Sequence, residues 1–224
     1  HGFLNVKDQP RWLTVKGRSR QYIKPITQPY ADQIRLKCPV ASVRRYPDYV
    51  EIQPQNEVVE KFDQVVIATH SDQALALLDD PTDAEKNILG VIPYQENQAV
   101  LHCDESLLPS KKAAWASWNY HIPREDLGRV AVTYDMNILQ SIGAPRELCV
   151  SLNLAKAIDP AKIYGKMNYH HPAYDPESLA ARHSHQEING VNRTYYAGAY
   201  WGYGFHEDGV ASALEVCKHF GKTL

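Results

Sequence analysis

The segment TYYAGAYWGYGFHEDGVASAL (residues 194–214) combines residue types that could form a ligand site. Its β-type run ends in Ala-Gly-Ala at 197–199, where small side chains would let a ligand approach the backbone closely. Asp208 and Gly209 then open a predicted helix, whose first N–H groups carry partial positive charge and can hold a phosphate or a carbonyl oxygen. The structural alternative is that Asp208 caps a packing helix and the glycines serve tight turns.

Aromatic side chains fill the loop between this run and the helix. They would either form the wall of a site for a flat ligand or anchor the loop by packing. The residues open to both interpretations are Tyr200, Trp201, Tyr203, Phe205 and His206.

Metal, hydrolase and kinase chemistry have little support. The histidines at 170–171, 183–185 and 206 lack the i, i+4 spacing of H-E-x-x-H and have no cysteine pair beside them, so we expect no bound metal. The chain has neither a G-x-S-x-G elbow nor a G-x-x-x-x-G-K-[ST] loop. No side chain is therefore assigned a catalytic role.

Composition excludes some partners. The 224 residues carry 24 Lys and Arg against 26 Asp and Glu, a net charge of -2, which lacks the basic surface that nucleic acid requires. The four cysteines are far apart and form no C-x-x-C pair, which favours reduced thiols in a cytoplasmic protein. No apolar run approaches the ~20 residues of a transmembrane helix.

The elements that would position the site have an α/β pattern at both ends of the chain. Residues 65–68 form a continuous, mostly β-branched run typical of a strand buried on both faces, followed by a helix that Ser71 or Asp72 would cap. The pattern returns near residue 187, so we expect FDQVVIAT and RTYYAGAY to lie in one sheet. Nearer the N-terminus, a β-like run passes through Gly17 into a helix that Ser19 would cap and that Pro25 would kink or end early; QIRLKCPVASVRRY and YVEIQP then alternate as strands do.

Residues 87–186 have a different pattern. The runs NQAVLHCD, AAWASWNYH, RVAVTYDMN and ELCVSLNL are separated by turn-rich segments, which predicts an antiparallel sheet. The stretch 159–192 is rich in Pro, Tyr and His and predicts a return of loops and short helices. The whole chain therefore predicts an α/β (α+β) fold in two parts, residues 1–86 with 187–224 and residues 87–186.

The order of these motifs resembles the C-terminal two-thirds of the flavin-containing amine oxidoreductases. RWLTVKG, AWASWNY and GAYWGYGFHEDG are also similar to a subgroup described as predicted NAD/FAD-binding proteins. The resemblance covers essentially the whole chain. It implies that 1–86 with 187–224 form a partial FAD-binding, Rossmann-like domain, interrupted by an antiparallel-sheet substrate domain at 87–186.

The resemblance also implies contacts to FAD at particular positions. Val40 would meet the adenine through its backbone, and Gly17 and Ser19 would lie near the ribityl chain and pyrophosphate. Ala68 and Thr69, at the end of a strand, would lie beside the nucleotide.

Further contacts follow at the C-terminal end. Ala197, Gly198 and Ala199 would face the pyrophosphate and ribityl chain, while Gly209 and Val210 would offer N–H groups to the flavin pyrimidine ring. A small-molecule substrate would lie between the insert sheet and the aromatic loop, near Trp115, Trp118, Tyr120, Tyr200, Trp201, Tyr203 and His206.

Three departures from the family pattern shape the expectation. No G-x-G-x-x-G occurs, so we expect the chain to be a fragment that loses FAD on purification and self-associates through a bared sheet edge near 65–68. Ala199 stands where many relatives have an acid, which leaves a bond to the ribityl chain in doubt. The insert segment NILGVIPYQENQAVLHCDESLLPS lacks the family's lysine, which leaves amine oxidation specifically in doubt.

The function implied is that of an FAD-dependent oxidoreductase transferring a hydride from an organic substrate to flavin, with this fragment inactive alone. Because the subgroup is often encoded beside cyclopropane-fatty-acyl-synthase-like proteins, an acyl or lipid substrate is as plausible as an amine. One alternative is a non-enzymatic binding or scaffold module without a redox cofactor. Another alternative is a reductase that uses only a nicotinamide cofactor. The absence of a G-x-G-x-x-G motif leaves this alternative without support as well.

Overall fold

The structure is a computed structural model that describes residues 7, 13, 15–17, 19–122, 124 and 128–223. Its helices are α1 (Arg20–Thr27), α2 (Ser71–Leu77), α3 (Asp83–Leu89), α4 (Met136–Gln140), α5 (Pro176–His183), α6 (His185–Ile188) and α7 (His206–His219). Its strands are β1 (Val40–Arg45), β2 (Val50–Pro54), β3 (Glu60–Phe62), β4 (Val65–Ile67), β5 (Tyr94–His102), β6 (Trp118–Tyr120), β7 (Val132–Asp135), β8 (Cys149–Leu152), β9 (Ile163–Pro172) and β10 (Thr194–Tyr196). None of the described helices is long and apolar enough to cross a membrane.

The described strands form three sheets. β1, β2 and β3 make a small antiparallel sheet, β4 and β10 pair in parallel, and the remaining strands form an antiparallel sheet in the order β6-β7-β8-β5-β9. The prediction that FDQVVIAT and RTYYAGAY share a sheet is confirmed, since Thr194 pairs with Val65 and Tyr196 with Ile67. The mixed α+β fold class is likewise confirmed, whereas the exact two-part division stays a prediction.

The antiparallel insert is confirmed, with one strand missed. All four predicted runs contain strands of the five-stranded sheet. The prediction of loops and short helices over 159–192 is right for α5 and α6 but wrong for β9, the longest described strand with ten residues. β9 lies at the sheet edge and is largely exposed, so its sequence carries little of the apolar alternation that marks a half-buried strand.

The N-terminal helix differs in detail from its prediction. Ser19 precedes α1 but its side chain makes no capping hydrogen bond. α1 continues through Pro25 to Thr27 and passes into a 3₁₀ helix over Gln28–Gln33. The proline falls close to the C-terminal end, where only one intrahelical hydrogen bond is lost. Part of the β-like run at 12–16 lies outside the described residues.

The main core draws on both ends of the chain. Its buried side chains are Val43, Ile67, Ala74, Leu78, Ile88, Leu89, Ile92, Ile188, Tyr196 and Tyr200. A buried ion pair crosses it: Arg45 donates to both carboxylate oxygens of Glu85 at 2.8 and 3.0 Å, and the Tyr196 hydroxyl donates to Glu85 Oε1 at 2.5 Å. Burial by itself would raise the pKa of Glu85, but the hydrogen bonds from Arg45 and Tyr196 outweigh burial and lower it.

A hydrogen-bonded chain of side chains crosses the covered face of the five-stranded sheet. His102 Nε2 lies 2.8 Å from Ser151 Oγ, which lies 2.7 Å from Thr133 Oγ1, which lies 2.9 Å from His121 Nε2. The Asp104 N–H donates to His102 Nδ1 at 3.0 Å. The first three of these side chains are fully buried, so the chain satisfies polar groups that water does not reach.

Candidate functional site

The carboxyl ends of β4 and β10 lie side by side, because the two strands are parallel. The Ala197 N–H donates to the Ile67 carbonyl at 3.0 Å, which brings residues 68–69 and 197–199 to one edge. In open α/β sheets, ligands bind outside this edge. The structure thus brings together five of the ten predicted cofactor residues: Ala68, Thr69, Ala197, Gly198 and Ala199.

A mostly apolar groove of about 730 Å³ opens beside β4. Val40 lines it together with Ala68 and Thr69, so these three predicted nucleotide contacts meet in one cavity. The complete lining is Pro39, Val40, Ala41, Val43, Ile52, Val65, Val66, Ile67, Ala68, Thr69, Gln73, Ala76 and Leu77. The apolar lining and the size suit a flat ring such as a nucleotide base.

Packing accounts for Gly198. A Cβ at this position would lie 2.3 Å from Cε1 and 2.6 Å from Cδ1 of Tyr200, so only glycine fits beneath that ring. Its N–H donates to Ser212 Oγ at 2.9 Å, and Ser212 Oγ donates to the Gly209 carbonyl. The turn after β10 is therefore tied to α7, and the Gly198 N–H is used inside the protein.

The start of α7 is two residues earlier than predicted. The helix begins at His206, and Asp208 is its third residue; the Asp208 carboxylate accepts from the N–H groups of Phe205 and Tyr203, each at 2.9 Å. The prediction that the helix opens on Asp208 and Gly209 is wrong, because Asp208 reaches back from the first turn instead of preceding it.

The position of Gly209 follows from this start. The Gly209 N–H donates to the Phe205 carbonyl at 3.2 Å, so it serves the helix and is not offered to a ligand in this structure. A Cβ on Gly209 would lie 3.9 Å from Ala199, and the following residue, Val210, is exposed. Gly209 thus lies at the edge formed by 197–199, and the roles of Gly209 and Val210 toward a cofactor stay predictions.

The predicted Gly-Ser element precedes α1. Gly17 has a φ of +81°, a left-handed conformation that favours glycine. The Tyr22 hydroxyl, in the first turn of α1, lies 3.4 Å from His206 Nδ1. This contact places α1 beside the start of α7, while the predicted roles of Gly17 and Ser19 toward FAD stay predictions.

The aromatic loop divides into packing and exposed residues. Tyr200 is only 4% exposed, and burial raises its pKa. Trp201 stacks on His185 with ring centres 4.0 Å apart, and His185 Nε2 donates to the Tyr196 carbonyl at 2.8 Å. Tyr200 and Trp201 therefore act as packing anchors in this structure, and the sequence left that alternative open.

Tyr203, by contrast, is 58% exposed. The Arg182 guanidinium lies 4.9 Å from the ring centre of Tyr174 and 4.8 Å from that of Tyr203, and it donates to the Gly202 carbonyl. Tyr174 follows β9, so this contact joins the aromatic loop to the end of the five-stranded sheet. The contact lies at the β9 edge of the sheet, and Trp118 and Tyr120 lie on β6 at the other edge.

One face of that sheet is aromatic and open. Direct pairing places Trp118, Tyr134 and Val150 in one row, and Tyr120, Leu152 and Met167 in the next. Trp118 is 49% and Tyr120 66% exposed. We call the side of the sheet that carries Trp118, Tyr120, Met167, Tyr169 and His171 the open face.

Trp115 lies before the open face begins. Its Nε1–H donates to the Pro109 carbonyl at 2.7 Å, and Lys112 Nζ lies 4.8 Å above its ring centre. These contacts hold Trp115 on its own loop, so the structure does not bring it into one row with Trp118 and Tyr120.

Sequence reasoning missed a polar pair beside the start of α2. His70 stacks on Tyr94 with ring centres 4.6 Å apart, and the Tyr94 hydroxyl accepts from the Ser71 N–H at 2.9 Å. His70, not Ser71 or Asp72, is the residue that precedes α2. Asn97 Nδ2 lies 3.1 Å from His171 Nδ1 on the paired strand β9. Strand alternation places His171 on the same face as Met167 and Tyr169 once β9 is known to be a strand, but the sequence of β9 is not apolar enough in alternation to predict that strand.

Comparison with known proteins shows the fold. No protein-family model and no curated protein sequence matches the chain. A CLA-producing fatty acid isomerase from P. acnes matches with TM-score 0.58 and 15% identity over 82% of this chain and 47% of that chain. Cyclohexylamine oxidase from Brevibacterium oxydans IH-35A matches with TM-score 0.61 and 13% identity, and wild-type putrescine oxidase bound to putrescine with TM-score 0.61 and 10% identity, each over 92% of this chain and 53% of that chain.

These matches confirm the predicted resemblance to amine oxidoreductases as a likeness of fold. The chain spans about half the length of the solved structures that it matches.

Proposed function

We propose that this chain is part of an FAD-dependent oxidoreductase that transfers a hydride from an organic substrate to flavin. The observation that supports the proposal most is the convergence of residues 68–69 and 197–199 at the carboxyl edge of a parallel strand pair. These segments are more than a hundred residues apart in sequence, and the family resemblance assigns both of them to the cofactor. Ligand binding at such an edge is a general property of α/β sheets.

The residues at this edge fit a flavin nucleotide. The groove of about 730 Å³ takes a flat ring against Val40, Ala68 and Thr69, and Ala199 and Gly209 put little side-chain bulk beside it. When bound, flavin supplies the hydride acceptor. The protein's part is to bind and orient both molecules and to exclude water between the open face and the 200–206 loop.

The names of the structural neighbours fit two substrate classes. Two are oxidases named for the amines cyclohexylamine and putrescine, and one is a fatty acid isomerase. For this chain we propose an organic substrate, either an amine or an acyl compound, that lies against Trp118, Tyr120 and Tyr203.

The exposed side of the parallel strand pair suggests how the proposal can be tested. With two described strands, the parallel sheet leaves much of Val66 exposed, and parallel sheets are normally covered on both faces. We therefore propose that a dinucleotide-binding unit completes the sheet. The experiment expresses the gene from any in-phase upstream reading frame and measures the ratio of absorbance at about 450 nm to that at about 280 nm after gel filtration with FAD.

The complete protein should be yellow and be bleached anaerobically by its substrate, whereas the 224-residue chain should lose FAD on the column. A colourless complete protein would contradict the proposal, and a yellow stoichiometric complex of the 224-residue chain would show that no further unit is needed. The competing function is a binding module without a redox cofactor. It is favoured by the internal use of the Gly198 and Gly209 N–H groups, and it predicts a colourless protein in both preparations.

A further inference from the structure

An amide relay runs beneath one end of the open face. The Gln98 N–H donates to Asn153 Oδ1 at 3.0 Å, and Asn153 Nδ2 donates to Asn97 Oδ1 at 2.7 Å. Asn97 Nδ2 in turn lies 3.1 Å from His171 Nδ1. The relay therefore connects a backbone N–H of β5 to a histidine ring on β9.

The direction of this relay is fixed. An amide nitrogen only donates and an amide oxygen only accepts, so each link dictates the next. Asn153 Nδ2 also donates to the Val130 carbonyl at 2.8 Å, and Asn97 Nδ2 to the Gln95 carbonyl at 3.1 Å. Turning either amide over would set its oxygen against a backbone carbonyl, and at Asn97, which is buried, this repulsion would be little screened by water.

The relay determines the protonation of His171. Because Asn97 Nδ2 donates, His171 Nδ1 must accept, and the neutral ring then carries its proton on Nε2. Protonation of Nδ1 would direct two donors at each other. Partial desolvation lowers the pKa of His171, and the neighbouring His70 and His170 lower it further. His171 is therefore a neutral hydrogen-bond donor at neutral pH.

The surroundings of His171 combine polar side chains, Asn97 and Gln95, with aromatic and apolar ones along β9. His171 is exposed, Tyr169 lies 6.2 Å away between ring centres, and Met167 follows on the same face. The row of Met167 continues across the sheet through Leu152 to Tyr120. Within the five strands, no Asp or Glu shares this face by register, so these strands offer an ammonium group no carboxylate partner.

We infer that the open face binds a long-chain carboxylate, whose oxygen accepts a hydrogen bond from His171 Nε2–H and whose chain lies along Met167, Tyr169 and Tyr120. The inference rests on the proposed function in taking this face as the substrate site. It selects the acyl class over the amine class, because a neutral donor beside described strands that carry no carboxylate on this face complements an anion and not a cation.

The first test is the tautomer of His171. Long-range ¹H–¹⁵N spectra of the 224-residue chain should show the Nε2–H form at about pH 7, with the resonance assigned by its loss in His171→Phe. Asn97→Asp replaces the donor with an acceptor of the same shape and should convert His171 to the Nδ1–H or the doubly protonated form. An Nδ1–H or doubly protonated ring in the wild-type chain would overturn the inference.

The second test is binding, measured by isothermal titration with decanoate and with decylamine. Wild type should bind decanoate saturably and more tightly than decylamine, and His171→Phe should lower the decanoate affinity by about tenfold while keeping a flat ring. His171→Gln should retain part of the affinity, because its amide can still donate. His170→Phe is the matched control, since His170 pairs with Glu96 on the opposite face, and it should leave the decanoate affinity at about pH 7 unchanged.

Dependence on pH distinguishes a neutral donor from a cation. Decanoate affinity should stay constant from about pH 7 to about pH 9, whereas binding to a charged imidazole would weaken as the pH rises. Unsaturable decanoate binding, equal affinity for decylamine, or an unchanged His171→Phe variant would each overturn the inference. These readouts do not involve flavin, so the two proposals can fail separately. A complete protein that is colourless but binds decanoate would contradict only the proposed function. A complete protein that is yellow but does not bind decanoate would contradict only this inference.

Discussion

Substituting Gly198 by alanine tests whether packing or a ligand requires glycine at this position. The backbone at Gly198 is extended, with φ 170° and ψ 154°, so alanine introduces no backbone strain. The new Cβ would, however, lie 2.3 Å from a ring carbon of Tyr200, whereas carbon atoms pack best at about 3.5–4.0 Å. The ring would have to move by more than about 1 Å within the core.

Tyr200 has little room for such a shift, because it is 4% exposed and packs on Trp201 with ring centres 4.9 Å apart. Overpacking of this kind costs about 1–3 kcal/mol, partly offset by about 0.4–1 kcal/mol from the lower entropy of the unfolded chain. We expect Gly198→Ala to lower the free energy of unfolding by about 1–2 kcal/mol. For a chain of this size that corresponds to roughly 2–4 °C in Tm for each kcal/mol.

The assay is equilibrium urea unfolding of the 224-residue chain, followed by far-UV circular dichroism. Gly209→Ala is the matched control: its Cβ would meet nothing closer than 3.9 Å, and alanine in a helix is about 0.5–1 kcal/mol better than glycine, so this variant should be unchanged or more stable. A Gly198→Ala variant as stable as wild type would refute the packing explanation. Close approach of a ligand to the backbone would then be the better explanation for glycine at this position.

Three further predictions use the same chain or its complete form. Glu85→Gln should cost about 3–5 kcal/mol in urea unfolding at neutral pH, because it leaves Arg45 buried without its charge partner. The folded-state pKa of Glu85 is lowered from 4.5, so its ionised form stabilises the fold above that pH and this stabilisation is lost as the pH falls further. The difference in the free energy of unfolding between wild type and Glu85→Gln should therefore shrink in acid. A difference that does not change with pH would refute this explanation. Ser151→Ala should cost about 1–3 kcal/mol by leaving two buried partners unsatisfied, and an unchanged urea midpoint would contradict the hydrogen-bonded chain. In the complete protein, Gly209→Glu should abolish flavin retention by placing bulk and negative charge at the edge formed by 197–199, whereas normal flavin absorbance in a folded variant would remove Gly209 from the site.

Much of the α/β part could be predicted from sequence because its signals are local. The continuous run at β4 and the small residues after β10 predict two strands, and parallel pairing then places their ends together. The prediction that β4 is buried on both faces is wrong in this structure, since Val66 is 47% exposed. The start of α7 was misjudged because Asp208 is equally plausible before a helix and in its first turn, and only the loop conformation decides between them. The inward packing of Tyr200 depends on tertiary contacts that no local pattern reports.

The role of His171 lay beyond sequence reasoning for a different reason. The relay joins Asn153 to Asn97 and Asn97 to His171, residues from β5, β9 and the turn after β8. Their contact depends on the pairing register of strands that are more than fifty residues apart in sequence. A shift of one residue in β9 would move His171 to the covered face, so no motif at any one of these positions can report the relay.

The two polar relays of the five-stranded sheet differ in a way that bears on function. On the covered face the links between His102 and His121 are hydroxyls, which can rotate and exchange donor for acceptor, and burial lowers the pKa of both histidines. The hydroxyls of such a chain can therefore take whichever hydrogen-bond direction the two histidines require, and they satisfy the buried polar groups of the core.

On the open face the links are amides, which cannot exchange donor for acceptor, and both amides are anchored to backbone groups. A relay of fixed direction is not needed merely to satisfy buried groups. It imposes one polarity on its exposed end, the Nε2–H of His171, and a fixed donor on an apolar face can discriminate between an anionic and a cationic head group before any reaction occurs.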